Sequence, residues 1–177
     1  MDEQVNQGGY GTSSEYVREL IRKDQDRLQL RGLLLAGAAS APAGPIAPAY
    51  FKGLRDRVRK AAKDGARGVT VKPVVPRELA NRDIDDAIAY YLSESTEQAA
   101  LGFIDALDKA YTHISRHPAT GSPRYAHELN LPGLRFWPLA HYQYLVFYTE
   151  RPQHIDVWRV LHGQRDIPAW MQEPEAI

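Results

Sequence analysis

The sequence predicts an α+β fold in which a helical hairpin lies on one face of an antiparallel β-sheet, preceded by a mostly helical leader. Three observations predict it. Apolar residues recur at three- to four-residue spacing through residues 78–116, and strand-length apolar runs follow through residues 124–162. Between these and the leader, the stretch DGARGVTVK at residues 64–72 interrupts both patterns and marks a seam between two segments.

The leader opens with GGYGTSSEYVRELIRKDQDRL. Thr12 stands three residues before Glu15, the spacing of a capping box, and Val17, Leu20, Ile21, Asp24 and Leu28 follow as a stripe with one polar interruption. This predicts a helix of about five turns. Residues 32–49 hold Leu33, Leu34 and Leu35, then small residues and prolines. That composition is too poor in bulky side chains to close a core and too apolar for a solvated linker, so the segment is expected to lie along another surface. Pro48 suits a first helical turn, and Phe51, Leu54, Val58 and Ala62 give a second, amphipathic helix.

Beyond the seam, VTVKPVV reads as a first or edge strand ending at Pro76. Leu79, Ile84, Ala87, Ile88, Tyr91 and Leu92 share one helical face. Thr96 caps a further helix carrying Ala100, Phe103, Leu107, Ala110, Tyr111 and Ile114, which His117-Pro118 stops. Four strands are then expected in RYAHELNL, LRFWPLA, YQYLVFYTE and HIDVWRVLHG, with YQYLVFY central and Pro138 holding its strand to an edge.

Composition narrows the function. The formal net charge is zero, with 11 Lys/Arg against 8 Asp/Glu in residues 1–66 and 11 against 14 in residues 67–177. The opposite signs favour docking of the two segments on each other, and neither has the basic excess of a nucleic-acid binder. The absence of Cys excludes disulfides and thiolate chemistry. The longest apolar stretch, Leu33 to Ala39, is far short of a membrane span, and MDEQVNQGG is no export signal, so a cytoplasmic protein without a membrane partner is expected. The leader is too small for a core of its own and is expected to draw stability from the body.

Residues 70–173 resemble the ParE toxin branch of the RelE/ParE superfamily, through VVPRELANRDIDDAIAYY, HPATGSPR, ELNLPGLRFWPL, YLVFYTE and HIDVWRVLHGQRDIP in that order. PLAHYQYLVFY departs from the pattern near Ala140 and Gln143, where the family has a basic residue and a proline. The leader resembles a ParD antitoxin through GGYGTSSEYVRELIR and YFKGLRDRVRKAA. The resemblance implies a truncated ribbon-helix-helix remnant at residues 1–31, a toxin-wrapping segment and junction at 32–66, and a toxin domain at 67–177. It implies DNA gyrase as target, no cofactor, and a homo-oligomer or an intra-chain pair. The chain starts inside what would be the first helix of the remnant, so sequence-specific DNA binding is expected to be lost.

The antidote surface is expected at Leu33, Leu34, Leu35, Tyr50, Phe51, Leu54 and Val58. Arg135, His141, Tyr142, Arg159, His162 and Arg165 are the candidates for contact with the target. In the related ribosome-dependent ribonucleases such residues would position RNA and move protons, which is the alternative function. Arg135 and Arg159 could instead pair with Glu128, Glu150 or Asp156 across strands. No catalytic residue is assigned. GGYGTSSE lacks a P-loop lysine, no HExxH spacing occurs, and His113 with His117 lacks a third ligand, so no metal site is expected. Glu78, Asp83, Asp85 and Asp86 read as a solvated helix face.

Overall fold

A computed structural model describes residues 13–58 and 72–172. Thr12, Ala62, the seam as far as Val71 and the side chain of Val58 lie outside the described residues. The elements run α1 Ser13–Ala39, α2 Pro48–Val58, β1 Val74–Pro76, α3 Glu78–Glu94, α4 Glu97–Arg116, a 3₁₀ turn Pro118–Thr120, α5 Arg124–Glu128, β2 Leu134–Pro138, β3 Tyr144–Glu150, β4 Ile155–His162, α6 Gly163–Asp166 and α7 Ala169–Gln172.

The four strands form one sheet in the order β1-β4-β3-β2. β2, β3 and β4 are an antiparallel meander, whereas β1 runs parallel to β4 with Val74 opposite Ile155. The sheet is therefore mixed, where an antiparallel one was expected. The α3/α4 crossover returns the chain to the far edge as β2, parallel to β1, and two reversals then bring β4, again parallel, beside β1. β2 ends at Pro138 on the edge and β3 is interior, as the sequence implies.

The hairpin forms as the pattern predicts. Thr96 closes the turn between its helices, its Oγ1 accepting the Ala99 N–H at 3.2 Å. Ile84, Ile88, Phe103, Leu107 and Ile114 pack on Val146, Tyr148, Val157 and Val160 to make the first core. The opposite face of the sheet carries a second core of Leu134, Phe147, Trp158 and Leu161 with Tyr125, Leu129, Ile167 and Met171. Leu30 and Leu34 of the leader complete it.

Two expectations about elements fail. RYAHELNL is not a strand: its first five residues are α5. Tyr125 and Leu129 are both buried four residues apart, a spacing that fits one strand face and one helix face equally. The Arg124–Glu128 pair, Nε to Oε1 at 3.0 Å, supports the helical turn. The first helix does not end near Leu28 either. It continues through GLLLAGAA to Ala39, because Leu and Ala are strong helix formers and the first proline comes only at Pro42. With that, the buried face moves. Leu30, Leu34 and Gly37 are buried, while Val17, Leu20, Ile21 and Leu28 of the predicted stripe are 39–58% exposed.

Candidate functional site

The leader contacts the body along three stretches. α1 lies over the second core through Leu30 and Leu34, and Arg31 Nε donates to the Leu129 carbonyl at 3.0 Å. Residues 40–47 run along β1, where the Ala43 N–H donates to the Pro76 carbonyl at 3.0 Å and the Ile46 N–H to the Val74 carbonyl at 2.6 Å. In return, the Glu78 N–H donates to the Ala41 carbonyl at 3.0 Å. A three-residue edge strand is thereby given main-chain partners on its open side. α2 then packs on the outer side of the hairpin.

Phe51 and Leu54 are the apolar anchors of α2, 6% and 4% exposed, with the Phe51 ring set edge-on to Tyr111 at 5.5 Å. The Tyr50 hydroxyl donates to Asn81 Oδ1 at 2.7 Å, and burial pushes that hydroxyl above its ordinary pKa, with Asp85 adding to the rise. Arg55 reaches both Asp105, at 3.0 Å from Nε, and Asp108. Arg57 pairs with Asp85 at 2.8 Å in the open. The basic outer face of this helix therefore meets the acidic face of the hairpin, consistent with the opposite charges of the two segments.

The three leucines divide. Leu34 is fully buried, Leu33 is half-buried, and Leu35 is 37% exposed and so is no part of the buried contact. Helical geometry explains it: adjacent residues point about 100° apart, so only one of three faces the sheet squarely.

The target-contact candidates do not converge. Arg135 lies on β2 opposite Tyr148, its Nη1 donating to the Gly121 carbonyl at 2.7 Å. His141 is exposed in the β2–β3 turn with a positive φ of 66°. The Tyr142 hydroxyl donates to the Ala99 carbonyl at 2.9 Å, and its ring sits among Tyr91 and Phe103. His162 ends β4 beside Tyr144 and Arg165 follows in α6, four residues along β3 from Tyr148, the residue opposite Arg135. There His162 Nδ1 accepts the N–H groups of Gln164 and Arg165, while Arg165 pairs with Asp166 at 2.9 Å. An open groove of about 370 Å³ lies along Arg124, Phe136, Tyr142, Tyr144 and Gly163.

Arg159 pairs with none of the carboxylates named for it. Its Nε and Nη2 grip Asp83 at 2.7 and 2.8 Å, and both side chains are 13% exposed. Asp83 is thus no part of a solvated face. β1 stops opposite Val157, and Asp83 Oδ2 takes up the Val160 N–H beyond it at 2.9 Å. Burial raises the Asp83 carboxyl above its ordinary pKa against the downward pull of Arg159 and Val160. Asp156, 1% exposed, is likewise pushed up by burial, but Arg77, Trp158 and Arg151 outweigh that and hold it below the ordinary range. Leu30, Arg31, Gly37, Arg55 and Arg77 all make leader–body contacts that the sequence reading missed. The spacing of 30, 34 and 37 was a legible signal for the first and third.

Among the described residues no group of three or more His, Asp or Glu is placed to hold a metal ion, and no helix is long and apolar enough to cross a membrane.

A helical hairpin on one face of a four-stranded sheet makes the body a small α+β module. Residues 74–167 match the family described as ParE toxin of type II toxin-antitoxin system, parDE, and this stretch is more than half of the chain. The chain belongs to the ParE toxin family. Among solved structures it is similar to a chain of the chromosomal ParDE TA system from P. aeruginosa, with 16% identity over 48% of this chain and 88% of that one. The TM-score is 0.41. No curated protein matches.

Proposed function

We propose that the chain is a linked toxin–antitoxin pair: a ParE-like body that acts by binding DNA gyrase, held inactive by a ParD-like leader. The domains are then residues 1–31, 32–66 and 67–177, with the first boundary falling inside α1. The observation that carries the reading is the double cover of the body. Leu34 closes one side of the sheet while Phe51 and Leu54 close the outer side of the hairpin on the other. A leader that served only as a tether would have no need of anchors on opposite sides.

On this reading the protein works in the cytoplasm by occupying a surface and not by catalysis. The leader acts on its own body, where covalent linkage raises its effective concentration to ~mM, or on that of a second copy in an exchanged homo-oligomer. Of the target-contact candidates, Arg135, His141, Tyr142, His162 and Arg165 lie away from the leader contacts described above, whereas Arg159 is bound beneath α1. The test is supercoiling of relaxed plasmid by purified gyrase with wild-type protein and with Phe51→Asp/Leu54→Asp. Inhibition by the double variant alone supports the proposal. Full supercoiling in the presence of the double variant, shown to have released its leader, refutes it.

A further inference from the structure

We propose that Arg77 and Arg159 form a receptor on the body for the carboxyl end of a helix, with Gly37 as the notch that lets the helix in. The proposal deepens the reading of the leader as the antidote and rests on it.

The same arrangement occurs twice. Arg159 places Nε and Nη2 on Asp83 and extends Nη1 to the Leu33 carbonyl at 3.2 Å. Arg77 places Nε and Nη2 on Asp156, at 2.7 and 3.0 Å, and extends Nη1 to the Ser40 carbonyl at 2.9 Å. In each, a carboxylate fixes two of the fork's donors and leaves a third, already aimed, for a leader carbonyl. The two carbonyls are seven residues apart, in the last two turns of α1 and just past its end. Ser40 stands where a helix gathers unsatisfied carbonyls and partial negative charge, whereas the Leu33 carbonyl lies inside the hydrogen-bonded ladder and takes Arg159 on its second lone pair. α1 has no basic residue in its own last turn, so the body supplies the cations the helix end lacks.

Gly37 provides the independent observation. A Cβ built there would lie 2.6 and 2.7 Å from Cδ and Cγ of Arg159, and in collision with the Trp158 carbonyl. The aliphatic stem of Arg159 therefore lies directly across Gly37 while its head reaches one turn back to Leu33. Only a residue without a side chain lets the helix come this close. The Ser40 hydroxyl, bonded to the Gly37 carbonyl at 2.7 Å, finishes the helix where the chain turns onto β1.

The occupant this receptor selects is a helix carrying glycine about one turn before its end. It is recognised by main-chain carbonyls at two points as well as by its buried leucines. The arginine of one such point, Arg159, belongs to antidote recognition and not to the target surface.

Amide hydrogen exchange on the intact chain tests this, comparing wild type with Gly37→Val and with Arg77→Lys/Arg159→Lys. Exchange at residues 30–46 is expected to rise about tenfold or more in each, while β3 and α4 keep wild-type protection. Unchanged exchange at 30–46 in Gly37→Val overturns the receptor. So does loss of protection throughout that variant, because a helix that cannot leave without unfolding the body is no ligand of it. Should the lysine pair fail to fold, with Asp83 and Asp156 left poorly partnered, Gly37→Val decides alone, since it alters only the leader. Release of 30–46 with no inhibition of gyrase would leave the receptor standing and remove the toxin reading.

Discussion

Leu34 and Leu35 are neighbours of identical chemistry, and their truncations are expected to differ several-fold in cost. Leu→Ala removes three carbons. At about 0.8 kcal/mol for each methylene-sized group, the fully buried Leu34 loses roughly 2.4 kcal/mol of transfer free energy. Leu34 shares its core cluster with Leu30, Phe147, Trp158 and Leu161, residues of a helix and a sheet that cannot close in fully on the space it leaves, so a cavity term adds to this. A total of about 3–4 kcal/mol is expected for Leu34→Ala. Leu35, 37% exposed on the outer side of the same helix, leaves no walled cavity, and Leu35→Ala should cost about 1 kcal/mol or less. Urea unfolding followed by tryptophan fluorescence reads both, since Trp158 belongs to the affected core. Equal midpoints for the two variants, or a larger loss for Leu35→Ala, would refute the placement of α1 on the sheet.

Three further outcomes follow from the geometry. Arg55→Ala removes the clamp on Asp105 and Asp108, and a loss of about 1 kcal/mol that shrinks with added salt is expected from unfolding at two ionic strengths. Gly121→Ala would drive a methyl group against the Tyr148 ring, with Cζ at 2.8 Å, and break the hydroxyl's bond to the Pro118 carbonyl. A lower midpoint by thermal unfolding is the expected result. Burial and then Arg165 hold the His162 imidazole below its ordinary pKa of 6.5, in the neutral form whose Nδ1 caps α6. Between 6.5 and that lower folded value the unfolded chain takes up a proton that the folded chain refuses, so stability falls as pH drops through this window. His162→Asn keeps a cap and has no such proton, and its unfolding midpoint should lose that part of the pH dependence.

Much of the body was legible because its signals are long and redundant. Twenty residues of helical spacing, Thr96 at a cap and Pro118 at a stop leave no competing assignment for α4. The central place of β3 follows from its unbroken apolar run. α5 was not legible, because a spacing of four serves a helix and a strand alike and only the Arg124–Glu128 pair tips the balance. The parallel β1 was not legible either, since three residues carry no direction and the pairing is settled by a long crossover through residues 77–133.

In the leader, Phe51 and Leu54 stood out as large side chains on an otherwise basic helix, and they are buried. In α1 the apolar stripe nearest the capping signal faces outward, and the buried face is the one that bears a glycine. A glycine in mid-helix reads as weakness until the opposing surface is known. The Asp83–Arg159 pair escaped notice because its partners are 76 residues apart and Asp83 sits among carboxylates that do face solvent.

Inactivation of the body by the proposed antidote leader is measured most directly by growth of bacteria after induction of the full chain carrying Phe51→Asp/Leu54→Asp. Two carboxylates placed against Tyr111 and the hairpin should lift α2 away, and the account predicts growth arrest where the wild-type chain permits growth. Normal growth with the double variant, at equal expression and with the body still folded, would contradict it.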